Sequence, residues 1–199
     1  METSFPLNIT LFNIINASQN ASQAVILIAK GLAVFSPWLV IAVLVWLWVC
    51  KTAEIRRALM IAGVALGIGL IINFTLAYLF YIPRPFEMGI GQSLLTHSPE
   101  TSFPSDHATF LWSLGLGLLI TRPLRWLGWG ITCLGLAVAW SRVYLGVHFP
   151  LDMGASLLIA VCSAVTAKLL AAKLERILIE PVERINAVVM RSVFHHKTK

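Results

Sequence analysis

The stretch Ser141-Arg-Val-Tyr-Leu-Gly-Val-His-Phe-Pro-Leu-Asp152 places a strong cation, an imidazole and a carboxylate close together in the chain. Proline is favoured at the first position of a helix, so we expect a helix to begin at Pro150. His148 would then lie just outside that helix and Asp152 in its first turn, within reach of the imidazole. With Arg142 nearby to bind an anion, this arrangement suits phosphoryl transfer. An aspartate in a first helical turn is also an ordinary cap, so the rest of the chain must decide.

The composition of the chain indicates a membrane protein. Of the 199 residues, 58% are hydrophobic and only 12% are charged. In a soluble domain about a quarter of all residues are charged. Long apolar runs that contain glycines are typical of transmembrane helices. No linker or low-complexity segment divides the chain. We therefore predict an all-α integral membrane protein with a single membrane domain over residues 1–199.

The apolar runs predict a bundle of about five transmembrane helices, preceded by a short helix in residues 5–18 that lies on the membrane surface. The first run is longer than a membrane requires, so we favour one tilted or kinked helix over two half-helices that meet at Pro37. The third run would be about 24 Å long as a helix, short for a hydrocarbon core of about 30 Å. A polar pocket at its start should therefore lie slightly below the outer surface. The runs cover residues 24–50, 58–81, 105–120, about 127 to the stretch quoted above, and 152–172.

The distribution of basic residues gives the expected orientation in the membrane. The net charge of +6 does not indicate nucleic-acid binding, because the basic residues stand in small groups at the ends of apolar runs. Only Lys30, Arg84 and Arg142 fall on one side, so the crowded side is predicted to be cytoplasmic. That side includes the tail of residues 173–199, predicted to be basic and amphipathic. The crowded side holds Lys51, Arg56, Arg57, Arg122, Arg125, Lys168, Lys173, Arg176, Arg184, Arg191, Lys197 and Lys199.

Three polar motifs are then expected to meet on the outer side. Arg84-Pro85 ends the second run, Pro104-Ser-Asp-His107 begins the third, and the quoted stretch bridges the fourth and fifth. Each motif alone has an ordinary explanation, such as an interfacial anchor, a helix cap or an interfacial histidine. Their arrangement at one end of a small bundle favours a functional site. The three cysteines have no paired spacing and predict neither a disulfide framework nor a metal site.

These motifs resemble the membrane branch of the type 2 phosphatidic acid phosphatase superfamily. The pattern of that family is Lys-x6-Arg-Pro, then Pro-Ser-Gly-His, then Ser-Arg-x5-His-x3-Asp. The third motif matches at every defined position, whereas Asp106 replaces the glycine of the second and Ala77 replaces the lysine of the first. The resemblance covers about residues 55–172. The short chain, the Arg-Pro-Phe ending and the Pro-Ser-Asp-His variant are most similar to bacterial undecaprenyl-diphosphatases of the bacitracin-resistance type.

The resemblance implies a role for each matching residue. His148 would be the nucleophile that forms a phosphohistidine, and Asp152 would keep its other ring nitrogen protonated. His107 would protonate the leaving group and then activate the water that cleaves the intermediate. Arginines would neutralise the charge of the phosphate, so no metal or other cofactor is expected. The residues expected to bind the phosphate are Arg84, Ser105, Asp106, Ser141 and Arg142.

The expected function is hydrolysis of undecaprenyl diphosphate at the outer face of the bacterial inner membrane, with resistance to bacitracin as a consequence. The partners are then a polyprenyl diphosphate and the lipid bilayer. Two alternatives remain open at this point. The same chemistry would serve a glycerolipid phosphate, such as phosphatidic acid or phosphatidylglycerophosphate. A non-catalytic partner in lipid transport is the second alternative, which the intact histidines and aspartate disfavour.

Overall fold

The computed structural model describes residues 6–195, and these residues form helices and irregular segments without a strand. The last two basic residues of the predicted cytoplasmic set, Lys197 and Lys199, lie outside the described residues. A π-helical turn over Glu175–Ile179 joins the last two helices. The helices are α1 (Pro6–Ile15), α2 (Gln23–Cys50), α3 (Ala53–Leu79), α4 (Asp106–Leu119), α5 (Arg125–Tyr144), α6 (Pro150–Leu174) and α7 (Glu180–His195).

Within residues 6–195, three helical stretches are long and apolar enough to cross a membrane: α2, α3 and the continuous stretch Pro150–Asn186. The prediction of one helix over residues 24–50 is confirmed, because α2 passes through Pro37 without a break. The alternative of two half-helices is wrong. A helix of this length tolerates an internal proline where neighbouring groups satisfy the freed backbone carbonyl.

The short helix α4 is the centre of the bundle and packs against α3, α5 and α6. It has 14 residues, which corresponds to a length of about 21 Å. Small residues allow close approach of the backbones on its α5 side. A Cβ atom added to Gly128 would lie 2.8 Å from the backbone nitrogen of Leu119. Such contacts between small residues are typical of helix packing in membranes.

The helix α1, predicted to lie on the membrane surface, also contributes a side chain to the protein core. Leu7 and Ile14 are exposed, as expected for a surface helix, but Phe12 is fully buried. The Phe12 ring lies 5.3 Å from the ring of Phe149, which follows the predicted nucleophile. The side-chain oxygen of Asn8 also accepts a hydrogen bond of 3.0 Å from the backbone N–H of Leu151. The inner face of α1 therefore packs on the segment that joins α5 to α6.

At the opposite end, α7 is tied to the start of α3. The Nε and Nη2 atoms of Arg56 donate to the two carboxylate oxygens of Glu183, both at 2.8 Å. This bidentate pair is the strong geometry for an arginine and a carboxylate. It holds the basic tail segment against the bundle, away from the end that carries the three motifs.

Candidate active site

His148 lies in the turn between α5 and α6, and its side chain is only 2% exposed. The prediction that a helix begins at Pro150 is confirmed, with His148 two residues before it. Gly146 makes the turn possible, because its φ of +78° suits glycine and a side chain there would collide with the carbonyl of Gln92. Ser141 and Arg142 lie in the last turn of α5 rather than in the connecting loop, since α5 continues to Tyr144.

Two contacts define the tautomer of His148. Its Nδ1 lies 2.7 Å from the backbone carbonyl oxygen of Ser102. A carbonyl can only accept, so Nδ1 carries the hydrogen. The Nε2 atom lies 3.2 Å from Nη1 of Arg84, which can only donate, so Nε2 presents its lone pair. The neutral imidazole is thus held with the lone pair of Nε2 directed toward Arg84.

Asp152 acts on this imidazole mainly through Ser102. Its Oδ2 accepts from the Ser102 hydroxyl at 2.6 Å and from the backbone N–H of Phe149 at 2.8 Å. The distance from Oδ2 to Nδ1 of His148 is 3.5 Å, longer than a good hydrogen bond. The carboxylate therefore caps α6 and orients Ser102, and the direct partner of Nδ1 is the Ser102 carbonyl rather than Asp152. Sequence reasoning missed Ser102, because a serine in an irregular segment carries no signal of its own.

Two buried arginines act on the imidazole of His148. Arg84 is 4% exposed and Arg142 is 3% exposed. The Nε of Arg84 donates to the carbonyl of Glu100 at 3.0 Å, and its Nη1 also donates to the carbonyl of Val147 at 3.2 Å. Burial, followed by the positive charges of Arg142 and Arg84, lowers the pKa of His148 well below its usual value. The imidazole consequently stays neutral, which is the form that the predicted role as nucleophile requires.

Glu87 contacts the backbone of Arg84 and not the guanidinium of Arg84. One carboxylate oxygen accepts from the backbone N–H of Arg84 at 2.8 Å. The other accepts from the hydroxyl of Tyr81 at 2.9 Å. The hydrogen bond from the Arg84 N–H, followed by that from Tyr81, lowers the pKa of Glu87, which therefore remains ionised. Glu87 therefore fixes the backbone from which Arg84 projects.

Two buried polar atoms in the described residues lack a hydrogen-bond partner, and both belong to the predicted phosphate site. They are the hydroxyl oxygen of Ser105 and Nε of Arg142. Unpartnered buried polar atoms are rare in folded proteins and require an explanation. A bound anion would accept from both groups. Ser105 precedes α4, and its backbone N–H donates to the hydroxyl of Ser156 on α6 at 3.0 Å. His107 follows in the first turn of α4 and is partly exposed.

Two other predicted phosphate-binding residues have protein partners. One carboxylate oxygen of Asp106 accepts from the side-chain amide of Asn73 at 2.6 Å. Asn73 is fully buried in α3, and its own oxygen accepts from the hydroxyl of Thr109 at 2.7 Å. The hydroxyl of Ser141 donates within α5 to the carbonyl of Val138 at 2.7 Å. The roles of Asp106 and Ser141 toward phosphate remain predictions.

Comparison with known proteins identifies the family. The chain matches the PAP2 superfamily over residues 58–176. It belongs to that superfamily. The putative undecaprenyl-diphosphatase YbjG of Escherichia coli is 39% identical over 168 residues, which cover 82% of this chain and 82% of that protein. The undecaprenyl-diphosphatase BcrC of Bacillus subtilis is 31% identical over 60% of this chain and 61% of its own length. The crystal structure of Aquifex aeolicus LpxE shares the fold, with a TM-score of 0.67 at 22% identity, covering 82% of this chain and 96% of that one.

The position of Ser102 predicts the effect of removing its hydroxyl. Ser102→Ala keeps the carbonyl that holds His148 but removes the hydrogen bond to Asp152, worth about 1.5–3 kcal/mol for a charged acceptor. We expect kcat to fall about 10- to 100-fold with a lipid phosphate substrate. Without the hydroxyl, the carboxylate acts more strongly on His148 and raises its pKa. Because the nucleophile must be neutral, the acidic limb of kcat/KM should move to higher pH.

The matched control is Ser98→Ala, which makes the same change at an exposed position of the same irregular segment. It should leave kcat and the pH profile unchanged. A Ser102→Ala protein that loses activity without any movement of the acidic limb would show that Ser102 has only a structural role.

Proposed function

We propose that this protein hydrolyses undecaprenyl diphosphate to undecaprenyl phosphate and inorganic phosphate, through a phosphohistidine at His148. The observation that carries the proposal is the pair of contacts on the imidazole, with Nδ1–H held by the Ser102 carbonyl and Nε2 facing Arg84. Membership of the PAP2 superfamily and the names of the two relatives support the same reaction.

In the first step, Nε2 of His148 attacks the terminal phosphorus in line with the bridging oxygen. The N–P bond forms as the P–O bond to the lipid phosphate breaks, and undecaprenyl phosphate leaves. Arg84 transfers its hydrogen bond from Nε2 to a phosphate oxygen, which frees the lone pair for attack. Arg142 and Ser105 supply the donors that lack a protein acceptor, and together they stabilise the developing charge. The Ser102 carbonyl stabilises the Nδ1–H as the ring becomes cationic.

In the second step, water attacks the phosphohistidine and releases inorganic phosphate. The O–P bond forms, the N–P bond breaks and His148 returns to its neutral form. His107 stands in the first turn of α4, beside Ser105, and serves as the acid–base group. It donates a proton to the leaving group when one is required, and it accepts the proton of the attacking water.

The active site is proposed to face outward from the bacterial inner membrane, with five helices crossing the bilayer. The helices α2, α3 and α6 have the length and hydropathy of transmembrane segments. The two between them in sequence, α4 and α5, pack against each other and against the other helices of the bundle, and in this proposal they cross the bilayer as well. The excess of basic residues at the opposite end supports a cytoplasmic location for that end. Consumption of undecaprenyl diphosphate on the outer face would protect cells from bacitracin, which binds that lipid.

The alternative substrate class is a glycerolipid phosphate, and the leaving group separates the two. The leaving group of a phosphate monoester is an alkoxide-like oxygen that His107 must protonate. The leaving group of a lipid diphosphate is a lipid phosphate, which needs less help from an acid. We therefore expect a higher kcat/KM for undecaprenyl diphosphate than for phosphatidic acid. General acid catalysis contributes about 10²- to 10⁴-fold, so His107→Ala should slow the monoester reaction strongly and the diphosphate reaction less.

Single-turnover release of the lipid product, measured with the purified protein in detergent, isolates the step in which His107 acts as an acid. Phosphatidic acid turned over as fast as undecaprenyl diphosphate, together with unchanged bacitracin tolerance on overexpression, would support the glycerolipid alternative. A purified protein that releases no phosphate from either substrate would support the transport alternative.

The proposed topology predicts where reporters will be found. A reporter fused after Lys199 should be active only as a cytoplasmic reporter, because it follows the basic end of the bundle. A reporter inserted in the segment of residues 88–100 should be exported, because this segment contacts the active site. Alkaline phosphatase and green fluorescent protein fusions measure the two locations. Finding both positions on the same side would exclude five spans.

A further inference from the structure

A cavity of about 400 Å³ lies between α3 and the segment that leads to α4. This volume is within the range of ligand pockets in proteins. One wall, here called the α3 wall, consists of Phe74, Ala77 and Tyr78 of α3 together with Tyr81, which lies two residues beyond the end of the helix. The three aromatic side chains of this wall are also exposed at the protein surface, and Tyr78 is 90% exposed. Since α3 is one of the helices long enough to cross a membrane, the cavity opens on a surface that lipid would cover.

The same cavity reaches the nucleophile through Arg84. Arg84 lines the cavity, and its Nη1 lies 3.2 Å from Nε2 of His148. A lipid whose terminal phosphate lies beside Arg84 and His148 therefore has its next atoms at the mouth of this cavity. A second cavity, of about 350 Å³, is lined by Phe86 and residues 93–97. None of its lining residues lies on a helix, so it offers no path along a transmembrane surface.

Ala77 determines how much space the α3 wall leaves. It stands where the family pattern described above has a lysine, and its methyl group is the smallest side chain of the wall. The facing wall includes Asp106, whose carboxylate is fixed by the hydrogen bond from Asn73 at 2.6 Å. A longer side chain at position 77 would extend into the cavity between these two walls.

We propose that this cavity binds the first isoprenoid units of the substrate, with Ala77 as the residue that admits them. The proposal rests on the proposed function, since it requires a prenyl diphosphate at His148. The aromatic and apolar α3 wall provides contact for the units next to the diphosphate. The rest of the tail continues along the outside of α3 in the bilayer, where contacts with lipid and with helix are similar. Selection by the tail should therefore end after the first few units.

The test uses purified protein in detergent and three substrates: dimethylallyl, geranyl and farnesyl diphosphate. For the unmodified protein, kcat/KM should rise from the first substrate to the third. Ala77→Phe fills the cavity, so the ratio of kcat/KM for farnesyl to that for dimethylallyl diphosphate should fall about tenfold, the discrimination typical of a small change in an apolar pocket. Ala77→Leu should lower the ratio by less. The matched control is Thr75→Phe, which places the same ring at an exposed position of α3 that does not line the cavity.

Thr75→Phe should keep the ratio of the unmodified protein. Equal losses for all three substrates in Ala77→Phe, with normal elution on size exclusion, would overturn the assignment of the cavity to the tail. An unchanged ratio in both Ala77 variants would also overturn it. Absence of turnover of every prenyl diphosphate by the unmodified protein would overturn the proposed function, and the inference with it.

Discussion

The hydrogen bond from Nδ1 of His148 to the backbone carbonyl of Ser102, at 2.7 Å, is the interaction on which the site depends. It joins the turn before α6 to the irregular segment before α4, which are far apart in sequence. A backbone carbonyl cannot donate a hydrogen, so this partner keeps Nδ1 protonated and specifies one tautomer of the neutral imidazole. The orientation of the ring then directs Nε2 to the space beside Arg84. The carboxylate of Asp152 accepts hydrogen bonds from the Ser102 hydroxyl and from the N–H of Phe149. These bonds hold Ser102 in the position in which its carbonyl contacts His148.

The fold supplies this geometry through a short central helix and close backbone contacts. The helix α4 has only 14 residues, and its start lies within the bundle, since Ser105 is fully buried and His107 is partly buried. The contacts at Gly128 bring α5 directly against α4, and α5 carries Arg142 in its last turn. The helix α1 completes the enclosure, since Phe12 packs on Phe149. The arginines and His148 are buried, and burial strengthens the effect of the arginine charges on the neutral imidazole.

Local sequence signals were sufficient for part of this description. Pro150 predicted the start of α6, and the spacing of His148 and Asp152 placed both at that start. Ser102 and Asn73 could not be found in this way, because each acts through a residue distant in sequence and neither belongs to a periodic pattern. The inner face of α1 was missed for the same reason, since the contact between Phe12 and Phe149 exists only in the folded chain. Asp106 stands where the family pattern has glycine, and the sequence gives no partner for its carboxylate. The fold supplies that partner, because the side-chain amide of Asn73 donates to the carboxylate.

The central claim is that His148 becomes covalently phosphorylated. The direct measurement uses a prenyl diphosphate with radioactive phosphorus in the terminal position, a rapid quench in alkali, in which phosphohistidine survives, and mapping of the labelled peptide. We expect label on the peptide that contains His148, and more of it in a His107→Ala protein, because hydrolysis of the intermediate then slows. Rapid single-turnover release of undecaprenyl phosphate with no label on His148, in either protein, would contradict the account.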